Sequence, residues 1–179
     1  MAAIRSKAVE TQPSSPEARL RELGIHLPPP PEALGAYTPV HIVGDLLYTS
    51  GVLPTWDGEL RGAGVVGRGL TIAEGGAAAR LCALNILSLV QSRTGSLDSV
   101  RQMVQLVGFV RSASGFVQQA KVLNGASELL VEIFGERGRH TRTALGTDEL
   151  PMGAAVELSA VVRIFPDVMG LPVIGRAVD

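Results

Sequence analysis

An α+β sandwich, a mixed β-sheet with two main helices on one face, is the fold class that the sequence predicts. Three observations carry it. Residues 154–165 alternate Val156, Leu158, Ala160, Val162 and Ile164 with Ala155, Glu157, Ser159, Val161 and Arg163, a period of two that reads as a strand with one fully apolar face. Two helical patterns, from Thr71 to about Arg93 and from about Phe116 to Phe134, stand between the strand signals. The resulting order is strands, helix, strand, helix, two strands, which layers two helices on one sheet face. At 179 residues the chain fits one core that buries roughly 70% of its unfolded surface.

Taken in order, residues 1–33 read as an N-terminal arm, a short helix and a proline strap, 34–166 as the main domain, and 167–179 as a C-terminal tail. Ser14-Ser15-Pro16-Glu17 offers a capping serine, a proline in the first turn and an early acid, so a short helix is expected from about Pro16 to Leu23, where Gly24 stops it. The run Leu27-Pro28-Pro29-Pro30-Pro31-Glu32 lacks four consecutive amide donors and is an extended strap. Val40–Val43 and Leu46–Ser50, joined by Gly44-Asp45, signal a tight hairpin. Gly51 to Arg61, with Pro54 and Asp57-Gly58, reads as loop with a strand remnant. Gly62-Ala63-Gly64-Val65-Val66-Gly67 matches the dinucleotide-binding fingerprint letter for letter, but it follows a polar loop instead of a strand and is read as a flexible turn. Thr71-Ile72-Ala73-Glu74 is a capping box that opens the longest helix, and Thr94-Gly95 ends it. Val100–Arg111 is nearly free of charge between Arg101 and Arg111, which predicts a central strand covered on both faces. The second helix is expected to turn Val117, Ala120, Leu123, Leu130 and Phe134 inward.

The chain is organised around the stretch 139–146, the Leu150-Pro151 turn and the strand 154–165. Alternation sets Arg142 on one side of its segment with His140 and Ala144, and the turn is expected to bring the next strand back beside or near it, so that Arg142 and Glu157 share one cleft. Such a pair reads as a structural ion pair on a sheet face, or as a site in which Arg142 grips a planar carboxylate through two parallel hydrogen bonds while Glu157 orients or deprotonates a water. Pattern alone does not choose between the two. Glu157 points away from the core, and Ala155 and Val161 beside it are too apolar for open water, so a subunit partner is the expected cover.

Composition excludes several classes. The net charge of -1 gives no field to attract phosphate backbones, and one Trp, two Tyr and four Phe leave little to stack bases, so nucleic acid is not an expected partner. Arg137, Arg139, His140 and Arg142 read as a solvated turn. The three histidines, His26, His41 and His140, have no metal spacing and no cysteine cluster to join, so no metal site is expected. Cys82 is the only cysteine and is flanked by Leu81, Ala83 and Leu84, as a buried small residue in a helix would be. Ser50 lacks the nucleophile-elbow context and is better suited to a hydroxyl donor or acceptor. The N-terminus lacks a signal-peptide apolar run and no stretch reads as a membrane span, so a cytoplasmic protein is expected.

With these segments in place the chain resembles the RidA family, reactive-intermediate imine deaminases also known as YjgF or L-PSP-type proteins, in a longer subgroup with an N-terminal extension. The residues that carry the resemblance are Tyr37, Thr49-Ser50-Gly51 with Leu53-Pro54, Asn124, and Arg142 followed by Leu150-Pro151 and Glu157, over about residues 34–166. The resemblance implies a chorismate-mutase-like fold and a homotrimer whose sheets form a central barrel, with ligand clefts between subunits. It implies hydrolysis of small enamine/imine carboxylates such as 2-aminoacrylate to 2-keto acids and ammonia, without a cofactor. Arg142 would hold the substrate carboxylate and Glu157 would position the attacking water. Tyr37, Ser50 and Gly51 would line the cleft, with Asn124 nearby and the Ala144 backbone meeting the imine nitrogen or the carboxylate. Ala144, Val52 and Ser159 depart from the family pattern, which commonly has Cys, Gln and a second acid there. Two other functions stay open on the same residues: a non-catalytic small-carboxylate-binding regulatory protein, and an endoribonuclease or translation inhibitor.

Overall fold

Thr71 begins the helix on which most of the molecule packs. In the computed structural model, which describes residues 14–33 and 35–166, α2 runs over Ile72–Thr94. The capping box is formed: the Glu74 amide donates to Thr71 Oγ1 at 3.2 Å and the Thr71 amide donates to Glu74 Oε2 at 2.8 Å. Its residues Ala79, Cys82, Ala83, Ile86, Leu87 and Val90 are buried. By length and apolarity α2 could cross a membrane, which the sequence reading did not anticipate, and 56% of its most apolar window lies buried inside this fold.

Among the described residues, and apart from three short 3-10 turns, the remaining elements are α1 (Pro16–Glu22), α3 (Gln119–Phe134) and nine strands: β1 (Val40–Val43), β2 (Leu46–Thr49), β3 (Thr55–Trp56), β4 (Glu59–Leu60), β5 (Val65–Val66), β6 (Gly69–Leu70), β7 (Val100–Arg111), β8 (Thr141–Thr147) and β9 (Val156–Ile164). The main sheet is mixed, in the order β1-β2-β9-β7-β8, antiparallel throughout except for the parallel pair β7 and β8. Both long helices lie on one face of it. Gly125 permits their close crossing, because a Cβ there would strike the backbone carbonyl of Gly76. The fingerprint-like glycine stretch is loop around the two-residue strand β5, with the Gly62 carbonyl accepting from the Ala155 amide at 3.0 Å. The expected arm over residues 1–13, Leu34 and the expected tail over 167–179 lie outside the described residues.

Four expectations are corrected. First, α3 starts at Gln119 instead of Phe116, since no Ser, Thr or Asp caps it and Gln118 makes no side-chain cap bond. Its inward face is therefore Val122, Leu123, Ala126, Leu129, Leu130, Ile133 and Phe134, while Val117 is 84% exposed and Ala120 is exposed. Second, β7 is covered on one face only: Met103, Leu106, Gly108 and Val110 are buried, whereas Gln105 is exposed and Val107 and Phe109 are half-buried. Third, β8 and β9 are not neighbours, because β7 lies between them. Arg111 at the end of β7 holds the crossing loop, donating from Nε to the Asp148 carbonyl at 3.2 Å and from Nη1 to the Gly153 carbonyl at 3.4 Å. Fourth, Ala155 is fully buried, since it precedes β9 where the backbone ties to Gly62 and Arg111.

The second sheet face carries the half-buried Val161, Val107 and Phe109 together with Val43, Tyr48 and Leu145, of which Val43 is 58% exposed. Nothing within the described residues covers it.

Candidate functional site

The register of β7, β8 and β9 decides where the two charged candidates lie. Arg142 pairs with Leu106, which pairs with Ala160, whereas Glu157 pairs with Phe109, which pairs with Leu145. Leu106 and Ala160 face the helices, so Arg142 does too; Phe109 faces the other way, and Glu157 with it. Within one subunit Arg142 and Glu157 are thus on opposite faces of the sheet and do not share a cleft.

Arg142 is held on the helix-facing side by α3. Its Nη1 donates to Asn124 Oδ1 at 3.1 Å and to Ser127 Oγ at 2.8 Å, and Nη2 donates to the Ala120 carbonyl at 3.0 Å. A guanidinium has five N–H groups, so Nε–H and one Nη2 hydrogen remain for a carboxylate. Ser127 was not singled out from the sequence. The available signal was helical spacing: Ala120, Asn124 and Ser127 stand at i, i+4 and i+7, one stripe of α3. Behind Ser127 sits His140, with Nε2 3.0 Å from Ser127 Oγ and Nδ1 2.7 Å from the Gly138 carbonyl. A carbonyl only accepts, so Nδ1 carries the proton, Nε2 accepts from the Ser127 hydroxyl, and Ser127 in turn accepts from Arg142. Burial holds the imidazole below its ordinary value of 6.5, the Arg142 charge adds to that, and the Gly138 bond opposes it. His140 is therefore half-buried and bonded locally, not part of a solvated turn. Ala144, two residues along β8, lies on the same helix-facing side, and β8 is an edge strand with one row of backbone groups unpaired within the sheet.

Glu157 lies on the opposite face of the sheet. Its carboxylate rests against Gly51, where a Cβ would collide with Oε1, so only glycine allows the approach. Among the described residues Glu157 has no hydrogen-bond or ion-pair partner, and burial alone pushes its carboxyl above the ordinary carboxylate value. Ser50 is fixed by its amide to the Pro39 carbonyl at 2.9 Å, and Tyr37 is 50% exposed. Tyr37, Ser50 and Gly51 together line a cavity of about 420 Å³ whose lining includes none of Glu157, Arg142, Asn124 and Ala144, Glu157 adjoining it through Gly51. The predicted residues therefore fall into two groups, Arg142 with Asn124 and Ala144, and Glu157 with Gly51, Ser50 and Tyr37. Cys82 is buried, its thiol pushed far up by desolvation, and it is no nucleophile. Among the described residues no cluster of His, Cys, Asp and Glu could hold a metal ion.

The fold and these residues define an α+β protein of the chorismate-mutase-like type. Residues 17–165 match the family described as "YjgF/chorismate_mutase-like, putative endoribonuclease". The chain belongs to this family. It is 44% identical over 148 residues to "Protein TCP17" of Trypanosoma cruzi, covering 82% of this chain and 92% of that one. A solved structure described as a "putative endoribonuclease" from Shewanella oneidensis is 36% identical, with a TM-score of 0.82 over 84% of this chain and 100% of that one. RidA from the Antarctic bacterium Psychrobacter sp. is similar at 27% identity and a TM-score of 0.53, over 75% of this chain and 94% of that one.

Proposed function

We propose that the protein hydrolyses small enamine/imine carboxylates to 2-keto acids and ammonia, in sites that form when the Arg142 half of one copy meets the Glu157 half of another within a homotrimer. The observation that carries this reading is the pair of unfinished half-sites. Arg142 is clamped by three bonds to α3 with its carboxylate-binding hydrogens left over, and Glu157 is desolvated beside a glycine with no partner among the described residues. The apolar second face, with Val43, Tyr48 and Leu145 exposed, supports association.

In this mechanism Arg142 holds the substrate carboxylate through Nε–H and Nη2–H, which fixes the imine carbon. Glu157 takes a proton from water as the water oxygen bonds to that carbon and the C=N pair moves onto nitrogen. The same proton then passes to the nitrogen to give the carbinolamine; as the carbonyl forms and the C–N bond breaks, Glu157 takes the hydroxyl proton and delivers it to the departing nitrogen, which leaves as ammonia. A raised pKa suits a carboxyl that must both accept and return a proton near neutrality. A bidentate charged contact of this kind contributes about 2–5 kcal/mol. Arg142→Ala should accordingly lower kcat/KM for 2-iminopropanoate by at least about thirtyfold. Full turnover in that variant refutes the assignment. The family's endoribonuclease description supplies the competing reading, and RNA cleavage by purified protein without imine turnover would favour it.

A further inference from the structure

The proline strap, residues 27–32, is one wall of the 420 Å³ cavity that contains Tyr37, Ser50 and Gly51. Pro29, Pro30 and Pro31 form that wall, and Pro39, Val52, Leu53, Leu89 and Met152 add further apolar lining. Both walls are fastened. On the strap side, the buried Ser88 hydroxyl donates to the Pro28 carbonyl, the Ile25 amide donates to the Leu20 carbonyl at 2.9 Å, and Glu17 of α1 accepts from the Leu97 amide at 2.8 Å. On the other side, the buried Asn85 spans two carbonyls, donating from Nδ2 to Leu53 at 3.1 Å and to Thr55 at 2.8 Å. Met152 sits at φ 56°, a region that side-chain-bearing residues seldom occupy, and the residue is 60% exposed.

From this cavity we infer that the natural substrate is a 2-imino acid with a bulky apolar side chain, which the strap cavity holds while the imine lies at Ser50 and Gly51; the inference rests on the deaminase reading. The volume decides against a three-carbon substrate. At about 30 Å³ per water-sized group the cavity admits on the order of a dozen non-hydrogen atoms, about twice what 2-aminoacrylate fills. Proline rings offer carbon surface and no N–H donors, and a wall already extended loses little entropy when a ligand packs on it. Glu32 and Asp57 also line the cavity, and two carboxylates there oppose an acidic side chain. Alanine-sized, phenylalanine-sized and glutamate-like side chains are therefore ranked in advance: the aromatic first, the acidic last.

The test compares imines generated in place by an amino-acid oxidase from alanine, phenylalanine and glutamate. A pocket that binds extra methylenes discriminates by about tenfold or more, so kcat/KM for the phenylalanine imine should exceed that for the alanine imine by at least that factor. Met152→Trp, which fills the cavity, should lower the ratio of the two by about tenfold. Equal efficiencies on the aromatic and small imines, or a preference for the acidic one, overturn the inference and leave the deaminase reading standing. If no imine is hydrolysed the deaminase reading falls, and binding still decides the cavity. Phenylpyruvate must then raise the melting temperature more than pyruvate does, and Met152→Trp must reduce that gain; equal protection by the two acids, or none, overturns it.

Discussion

Ser127→Ala separates what holds Arg142 in place from what holds the protein together. The substitution deletes one hydroxyl on α3 that accepts from Arg142 Nη1 at 2.8 Å and donates to His140 Nε2 at 3.0 Å. A hydrogen bond to a charged group contributes about 1.5–3 kcal/mol when buried, but Ser127 and Arg142 are only half-buried and water can replace the lost acceptor, so about 1 kcal/mol is the expected cost. Alanine is a better helix former than serine by up to about 0.5 kcal/mol, which offsets part of that cost. Net stability should therefore fall by less than about 1 kcal/mol, a shift of only about 2–4 °C in melting temperature. Turnover should suffer more. Asn124 and the Ala120 carbonyl still hold the guanidinium, but it can rotate about them, and misplacement of a substrate anchor should cost about tenfold in kcat/KM, mostly through KM. Ser127→Thr keeps the hydroxyl and should restore the rate. The assay is imine hydrolysis followed as ammonia release, beside denaturant unfolding of the same preparations. Unchanged kcat/KM in Ser127→Ala, or a rate loss that Ser127→Thr does not repair, would refute the positioning argument.

Glu157→Gln should abolish turnover yet leave the protein more stable at neutral pH, because burial raises the Glu157 pKa and the ionised form is disfavoured in the fold. The folded state binds the extra proton between the ordinary value of 4.5 and the raised one, so wild-type stability declines as pH rises through that window, and unfolding curves of the variant should lack this decline. The opposite sign holds for His140, whose pKa is lowered mainly by burial: the unfolded chain takes up the proton first, so stability falls as pH drops below 6.5. Unfolding measured near pH 7.5 and near pH 5.5 should show a larger loss in the wild type than in His140→Gln, and equal losses would contradict the assignment. Sedimentation at micromolar concentration should give three times the 18.7 kDa of one chain, whereas a stable monomer that still hydrolyses imines would defeat the shared-site model.

The sequence by itself determined the elements whose signals are local. The capping box at Thr71, the Gly44-Asp45 turn, the proline strap and the bounds of β7 all stand where short-range chemistry puts them, since caps, turns and proline act within a few residues. It also marked both charged candidates and, through Tyr37, Ser50, Gly51, Asn124 and Ala144, the companions of each. Only the tertiary structure decided how those residues group. Which strand lies beside which is set by long-range pairing, and the insertion of β7 between β8 and β9, held by Arg111, turned one expected cleft into two groups of residues on opposite faces. The start of α3 likewise escaped the pattern, because packing and not a cap fixes it. The strap illustrates the same division. Four prolines announce an extended segment from composition alone, but that it closes a cavity next to Gly51 follows from tertiary ties, among them the buried Ser88, sixty residues away on α2.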